Sequence, residues 1–295
     1  MLGFNIQHST LNIQHSSSDI PKESPKTILF QFVLFPLGVV LIAVFVFLLF
    51  GKLASEEQSI PEYLGDIRSG SSHRKFQAAY ELSKSIKRGE AKRYPNLVEQ
   101  VVDVYRDSRD DDPRVRQYLT LVLGKLGDRR ATPTLIEALR EPGADNRLYA
   151  LLALAELRDP AAAPAIIEAT RDPEKDVRKT ALYALGQIGD AGAVPALVEA
   201  LNDPTADIRY NAAIALARFN DQRAVGVLKE MLDRSRLNQV PGMRPDQKDA
   251  AMTSAIAAYT KLAGKEAVPE LQRVANSDPS VHVRGVARSA LQEVQ

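Results

Sequence analysis

Beyond residue 72 the apolar positions recur at helical spacing and break at regular intervals. Counting from Arg178, residues Ala181, Leu182, Leu185 and Ile188 fall at i+3, i+4, i+7 and i+10, along one face of a helix. Gly189-Asp190 ends that stripe: glycine supplies the backbone freedom for a helix stop, and aspartate is a good N-cap for a second helix. Val194, Leu197, Val198 and Leu201 form a second stripe, which Asn202-Asp203-Pro204 breaks, with Asp207 placed to cap the next helix. The pattern predicts a helical hairpin that can bury its apolar faces only by stacking on neighbours.

The hairpin repeats. Asp128, Asp159, Asp190 and Asp221 are spaced by 31 residues, as are Arg116, Arg147, Arg178 and Arg209. Pro133, Pro164 and Pro195 keep the same register, with Gly226 in the next place. Gly124, Ala155, Gly186 and Ala217 hold one further position, where a larger side chain would keep two helices apart. Lys75 stands at the arginine position in the first unit, Met252 in the sixth and Arg284 in the last. Between Arg209 and Met252 the spacing stretches to 43, which places an insertion in Asp233 to Asp249. Six hairpins and a final helix are expected over residues 72–295. Arg288, on the otherwise apolar face of that last helix, suits a terminal cap exposed to water.

A different pattern precedes the repeats. Ile28 to Phe50 is uncharged and almost wholly apolar, and as a helix it would span about 34 Å. That length matches a hydrocarbon core about 30 Å thick, so a single transmembrane helix over 28–50 is expected, as an uncleaved signal anchor. Lys22 and Lys26 on its N-terminal side outnumber Lys52 on the other. This orients the chain in a cytoplasmic membrane with the repeats on the outer side. Residues 1–27 read as a disordered polar tail in which Asn5 to Ser9 recurs as Asn12 to Ser16. Residues 51–71 read as a linker with a short helix starting at Ser59, where Glu62 completes a capping box.

Composition narrows the chemistry. Hydrophobic residues at 45% suffice for a core, while aromatics at 6% and the absence of Trp leave it to be built from Ala, Leu, Val and Ile. The absence of cysteine removes disulfides, thiolate metal sites and a Cys nucleophile. A net charge of +1 gives no pull toward nucleic acid, and no nucleic-acid partner is expected.

Val177 to Leu216, VRKTALYALGQIGDAGAVPALVEALNDPTADIRYNAAIAL, resembles the HEAT-like repeats of phycobilisome lyases and many bacterial proteins. The resemblance runs from about Ser72 to the C-terminus. It implies an all-α, HEAT-like α-solenoid whose second helices line the concave face. It also implies an inter-repeat ladder of Arg116, Arg147, Arg178, Arg209 and Arg284, with acidic partners such as Asp176 and Asp207.

Candidate chemistry is sparse. His8, His15, His73 and His282 have neither metal-ligand spacing within an ordered segment nor a triad's companions. Asp110-Asp111-Asp112 before Pro113 reads as a solvated cap between hairpins rather than a metal cluster. No catalysis, cofactor or metal is expected. Two surfaces are candidates for protein partners. On the second helices Glu137, Glu168, Glu199 and Glu230 recur at the repeat period, with Arg273 in the sixth place, as an acidic stripe for a basic helix or tail. In the insertion, Arg234, Arg236, Arg244 and Lys248 make a basic loop, with apolar Leu237, Val240 and Met243 available for contact. The expected function is a membrane-tethered scaffold for other proteins, touching the bilayer through 28–50. The alternative is a bilin-lyase-like or chaperone-like helper in cofactor attachment or membrane-complex assembly. For that role Tyr80, Tyr118, Tyr149, Tyr183 and Tyr210 lie scattered along the first helices.

Overall fold

The computed structural model describes residues 34–54 and 58–294. The chain divides into two units, 1–58 and 59–295. In the first, helix α1 spans Phe35–Ala54. Pro36 falls in its first turn, where a missing N–H and a fixed φ cost nothing. The apolar side chains of α1 stand exposed, Phe35, Ile42 and Phe47 among them. The expected membrane span begins at Ile28, and its first residues, with the tail 1–27, lie outside the described residues. Among the described residues no helix is long and apolar enough to cross a membrane.

The second unit is all helical among its described residues. Helices α2 (Ile60–Ser69) and α3 (Ser72–Ser85) lead into α4 (Leu97–Asp107), α5 (Pro113–Leu126) and α6 (Thr132–Ala138). Then come α7 (Ala144–Leu157), α8 (Ala163–Ala169), α9 (Lys175–Ile188) and α10 (Val194–Ala200). The series continues with α11 (Ala206–Arg218), α12 (Val225–Met231) and α13 (Arg234–Asn238). It ends with α14 (Pro245–Ala263), α15 (Val268–Ser277) and α16 (Val281–Val294). Six hairpins result, α3/α4, α5/α6, α7/α8, α9/α10, α11/α12 and α14/α15, closed by α16. Their first helices stack in a row from α3 to α16. One continuous apolar core runs through the stack, with Leu119, Leu151, Leu182, Leu197 and Leu228 fully buried.

Local chemistry explains the breaks. Asp128, Asp159, Asp190 and Asp221 each accept the N–H two residues on, at 2.8–3.2 Å, capping a short 3₁₀ turn that feeds the second helix. The Arg130 guanidinium beside Asp128 holds that carboxyl below its ordinary range, and Arg223 does the same for Asp221. Gly124 lets α5 and α7 close on each other: a Cβ there would sit 2.8 Å from the Ala153 Cα. Arg288 is exposed on α16, as expected of a terminal cap.

Two sequence expectations change. Helix α2 starts at Ser59 with the Glu62 cap (2.8 Å), yet it packs on α3 and buries Tyr63, Leu64 and Ile67. It is therefore part of the solenoid unit rather than of a linker. The insertion is no free loop: α13 buries Leu237 completely, and Val240 and Met243 pack against the core. Its apolar residues are spent on the fold.

Candidate functional site

The 31-residue arginines form the backbone of the site, and their geometry shows which charges remain for partners. Arg147 Nη1 donates to the carbonyls of Glu141 and Pro142 at 2.9 and 3.0 Å, in the turn that precedes its helix. Its Nε and Nη2 donate to both oxygens of Asp172 in the next inter-hairpin turn, at 2.8 and 2.9 Å. Arg178 binds the Asp172 and Pro173 carbonyls and reaches Asp203 at 3.8 Å. Arg209 binds the Asp203 and Pro204 carbonyls, and Arg284 those of Asp278 and Pro279. Arg116 meets Glu141 at 2.5 Å with its guanidinium 4.2 Å over the Tyr105 ring, and Lys75 meets Asp111 at 2.8 Å. The planar fork of donors lets Arg147 tie its helix start both to its own turn and to the next repeat, while Arg178, Arg209 and Arg284 hold their own turns through the carbonyls. Burial, with Glu141 alongside, pushes the Tyr105 phenol well above its ordinary range.

The acidic partners differ from those the resemblance implies. Asp176 pairs with Lys179 at 3.1 Å, and Asp207 sits in the first turn of α11, where the helix dipole favours a negative charge. The carboxylates that meet the arginines precede the prolines of the turns, Asp172-Pro173 and Asp203-Pro204. The same two aspartates accept the N–H groups of Glu174 and Thr205 and so fix the turns, while α11 starts at Thr205 without a side-chain cap from Asp207. The Asp-Pro dipeptide at repeat spacing was the signal in the sequence.

The insertion reroutes the ladder. Glu141, Asp172 and Asp203 are spaced by 31, and the next place holds Arg234. With a cation there, Arg209 turns to Glu230 at 3.0 Å. Arg234 itself meets Asp249 and Asp278, each at 2.7 Å, and the Asp278 side chain is only 2% exposed. Asp278 is the acid that an arginine at position 252 would serve, and position 252 holds a buried methionine. Arg234 is therefore a ladder residue and not an exposed contact. Among the other basic residues of the insertion, Lys248 donates to Asn238 at 2.9 Å and Arg244 pairs with Asp246 at 2.9 Å. Arg236 is exposed, lining a cleft of about 550 Å³ with Glu230, Glu270 and Arg273.

The expected acidic stripe is interrupted. Glu137, Glu168 and Glu199 are exposed on the second helices at repeat spacing. Glu230 is drawn into the ladder, where burial and its carboxylate push the Tyr210 phenol up to about 12. Arg273 donates to Glu270 and to the Leu232 carbonyl at 2.9 Å. Arginines three residues on, Arg140 and Arg171, run beside the glutamates, and Arg171 meets Glu199 at 2.8 Å. The face carries alternating charge rather than an acidic band. Of the scattered aromatics, Tyr80, Tyr118 and Phe76 come together, with ring centroids 5.3 and 5.8 Å apart. Among the described residues no group of three or more His, Asp or Glu side chains is placed to hold a metal ion.

Known proteins place this geometry. A family model described as HEAT repeats matches residues 98–174 and 163–240. The chain is similar to the structure of the complex of CpcE and CpcF of phycocyanin lyase from Nostoc sp. PCC7120. That match has a TM-score of 0.55 and 23% identity over 81% of this chain and 89% of that one. It is also similar to the X-ray structure of YibA from Escherichia coli, with a TM-score of 0.53 and 18% identity over 81% and 83%. No curated protein matches it by sequence. The chain carries HEAT repeats, stacked as an all-helical solenoid.

Proposed function

We propose that this chain is a scaffold that binds other proteins, without catalysis of its own, held at a bilayer by residues 28–50 with the solenoid on the outer side. One observation carries the scaffold reading. The ladder consumes the buried charges, while Glu137, Glu168 and Glu199 stand exposed one per repeat beside Arg140 and Arg171. Stacked repeats present such positions as one extended face. Alternating charge on it would set which partner docks and in what register. The exposed apolar side chains of α1 support the tether. Of the aromatic residues that a cofactor-handling helper would need around a cleft, Tyr80 and Tyr118 instead pack on each other and on Phe76.

A photoreactive residue at position 137, 168 or 199 of the full chain, in its own cells, is expected to give one common adduct. The same residue at Lys179, on a first helix, is expected not to give it. Identical adducts from both faces, or none from the second helices, would end the scaffold reading. For the tether, deletion of 28–50 should release the chain from floated membranes, and side-restricted labelling of a C-terminal tag should succeed only from outside.

A further inference from the structure

A second surface lies on the first helices, away from the glutamates. Leu121, Leu152, Tyr183 and Ile214 occupy one position at 31-residue spacing on α5, α7, α9 and α11, with Leu152 and Tyr183 exposed, Leu121 half-buried and Ile214 half-buried against the core. Leu152 is 43% exposed and Tyr183 46%, and among the described residues of this unit only Tyr94 and Val281 are other large apolar residues so exposed. Their neighbours are small for a structural reason. Gly186 allows α9 to approach α11, where a Cβ would meet the Ala215 Cβ at 2.9 Å. The small residues leave depressions between the outward side chains. One, of about 410 Å³, is lined by Leu121, Gly124, Leu152, Ala155 and Tyr183. Another, of about 570 Å³, is lined by Gly186, Ile214, Ala217, Ala257 and Ala258.

The rim of these depressions is basic. Lys125, Arg158, Arg218 and Lys261 border them. Lys125 donates to the Ser83 carbonyl, Arg218 to the Gly186 carbonyl and Arg158 to the Gln187 amide, all neutral acceptors that leave the charge uncancelled. The acid at this edge, Glu156, is paired with Arg88 at 3.1 Å. An apolar row flanked by uncancelled cations fits an apolar ridge flanked by carboxylates.

We infer that this first-helix face docks an acidic amphipathic helix of a partner protein. Packed helices lie about 8–10 Å apart, and seven residues of an α-helix rise about 10.5 Å. The two depressions are centred on α7 and α11, two helix spacings apart, so a helix running along the stack would set a large apolar residue into each at about fourteen-residue spacing, with Glu or Asp beside it. Such a face is distinct from the second-helix surface of the scaffold reading, and either can hold without the other.

The test uses the full chain in detergent and three fluorescent helical peptides: Leu at i, i+7 and i+14 with Glu flanks, the same with Lys flanks, and a scramble of the first. Anisotropy is expected to show binding of the Glu peptide at least tenfold tighter than of the other two, weakening as salt rises. Leu152→Gln with Tyr183→Ser, both exposed positions whose change leaves the circular dichroism intact, should cost at least tenfold in affinity. Equal binding of the Lys peptide, or binding indifferent to the two substitutions, overturns the inference. So does no binding at all, or a self-association that the substitutions abolish, which would assign the face to a second copy of the chain.

Discussion

The regular repeats and the insertion-bearing repeat solve one electrostatic problem in two ways. At Arg147 the cation sits at a helix start and its acid, Asp172, lies 25 residues ahead in the next turn. Around the insertion the matching position falls in the interior of the longer α14 and carries Met252, and the cation arrives from the preceding turn as Arg234, on α13. The turn acid is served in both arrangements, Asp172 by Arg147 and Asp278 by Arg234. What the fold requires is one positive charge at each buried turn carboxylate, and the chain element that supplies it is exchangeable. Removing the cation alone is expensive, because a buried carboxylate stripped of its partner costs several kcal/mol.

The comparison breaks most visibly at Arg234. Arg234→Ala leaves Asp278, almost fully buried, without its cation, and is expected to destabilise the C-terminal repeats by about 3–5 kcal/mol. Urea unfolding followed by amide exchange should show α14 to α16 opening first, since repeats unfold as coupled neighbours. Arg234→Asp should be worse, setting a third carboxylate near Asp249 and Asp278. The decisive variant is the exchange Arg234→Asp with Met252→Arg, which rebuilds the regular arrangement and is expected to recover more than half of the loss. If the double variant is no more stable than Arg234→Asp alone, the two positions are not equivalent suppliers of charge.

How much of this was legible in the sequence depends on distance along the chain. Gly189 and Asp190 act through neighbours within one turn and the arginines mark a 31-residue period, so hairpins, breaks and repeat count followed from periodicity. The ladder acids did not. Asp176 and Asp207 stand two residues before an arginine and look like its partners, but side chains two apart do not face each other on a helix. The acids that serve, Asp172 and Asp203, lie in turns whose approach to the preceding repeat exists only once the hairpins stack. Arg234 was misplaced for the same reason. Four basic residues in an insertion look like one basic surface, whereas three-dimensional packing buries one, pairs two with Asp246 or Asn238 and leaves Arg236 exposed. The second-helix glutamates were visible as a column. The pairing of Glu199 with Arg171 was not, because that arginine belongs to the repeat before it.

Within the regular repeats the geometry itself is graded, which sharpens the comparison. Arg147 holds Asp172 with two bonds of 2.8 and 2.9 Å, while Arg178 stands 3.8 Å from Asp203. At 3.8 Å no hydrogen bond remains, only a partly screened charge pair. Both arginines keep their carbonyl contacts, so the difference isolates the carboxylate. Substitution by methionine, the residue found at position 252, keeps the aliphatic stem. Arg147→Met is expected to cost about 2–3 kcal/mol and Arg178→Met about 1 kcal/mol in urea denaturation. Equal losses would show that the carbonyl contacts carry the energy and that the turn acids are secondary.

The smallest effect lies at the end of the first helices, where one position accepts three different residues. Gly127 and Gly189 take left-handed backbone there, with φ of 67° and 75°; Arg158 and Asn220 take it in the intervening repeats, with φ of 50° and 55°. Left-handed backbone costs a non-glycine residue about 1–2 kcal/mol, less for asparagine, whose short polar side chain tolerates it. Glycine loses about 0.5–1 kcal/mol of chain entropy in return. Arg158→Gly is thus expected to gain about 0.5–1 kcal/mol, and Asn220→Gly close to nothing. The exposed contact of Arg158 with Gln187, at 3.1 Å, is too solvated to reverse that sign. Thermal unfolding of the two variants side by side decides it. A loss at Arg158 would mean that the contact between α7 and α9 outweighs the backbone strain, and that this arginine is held at the rim for its charge.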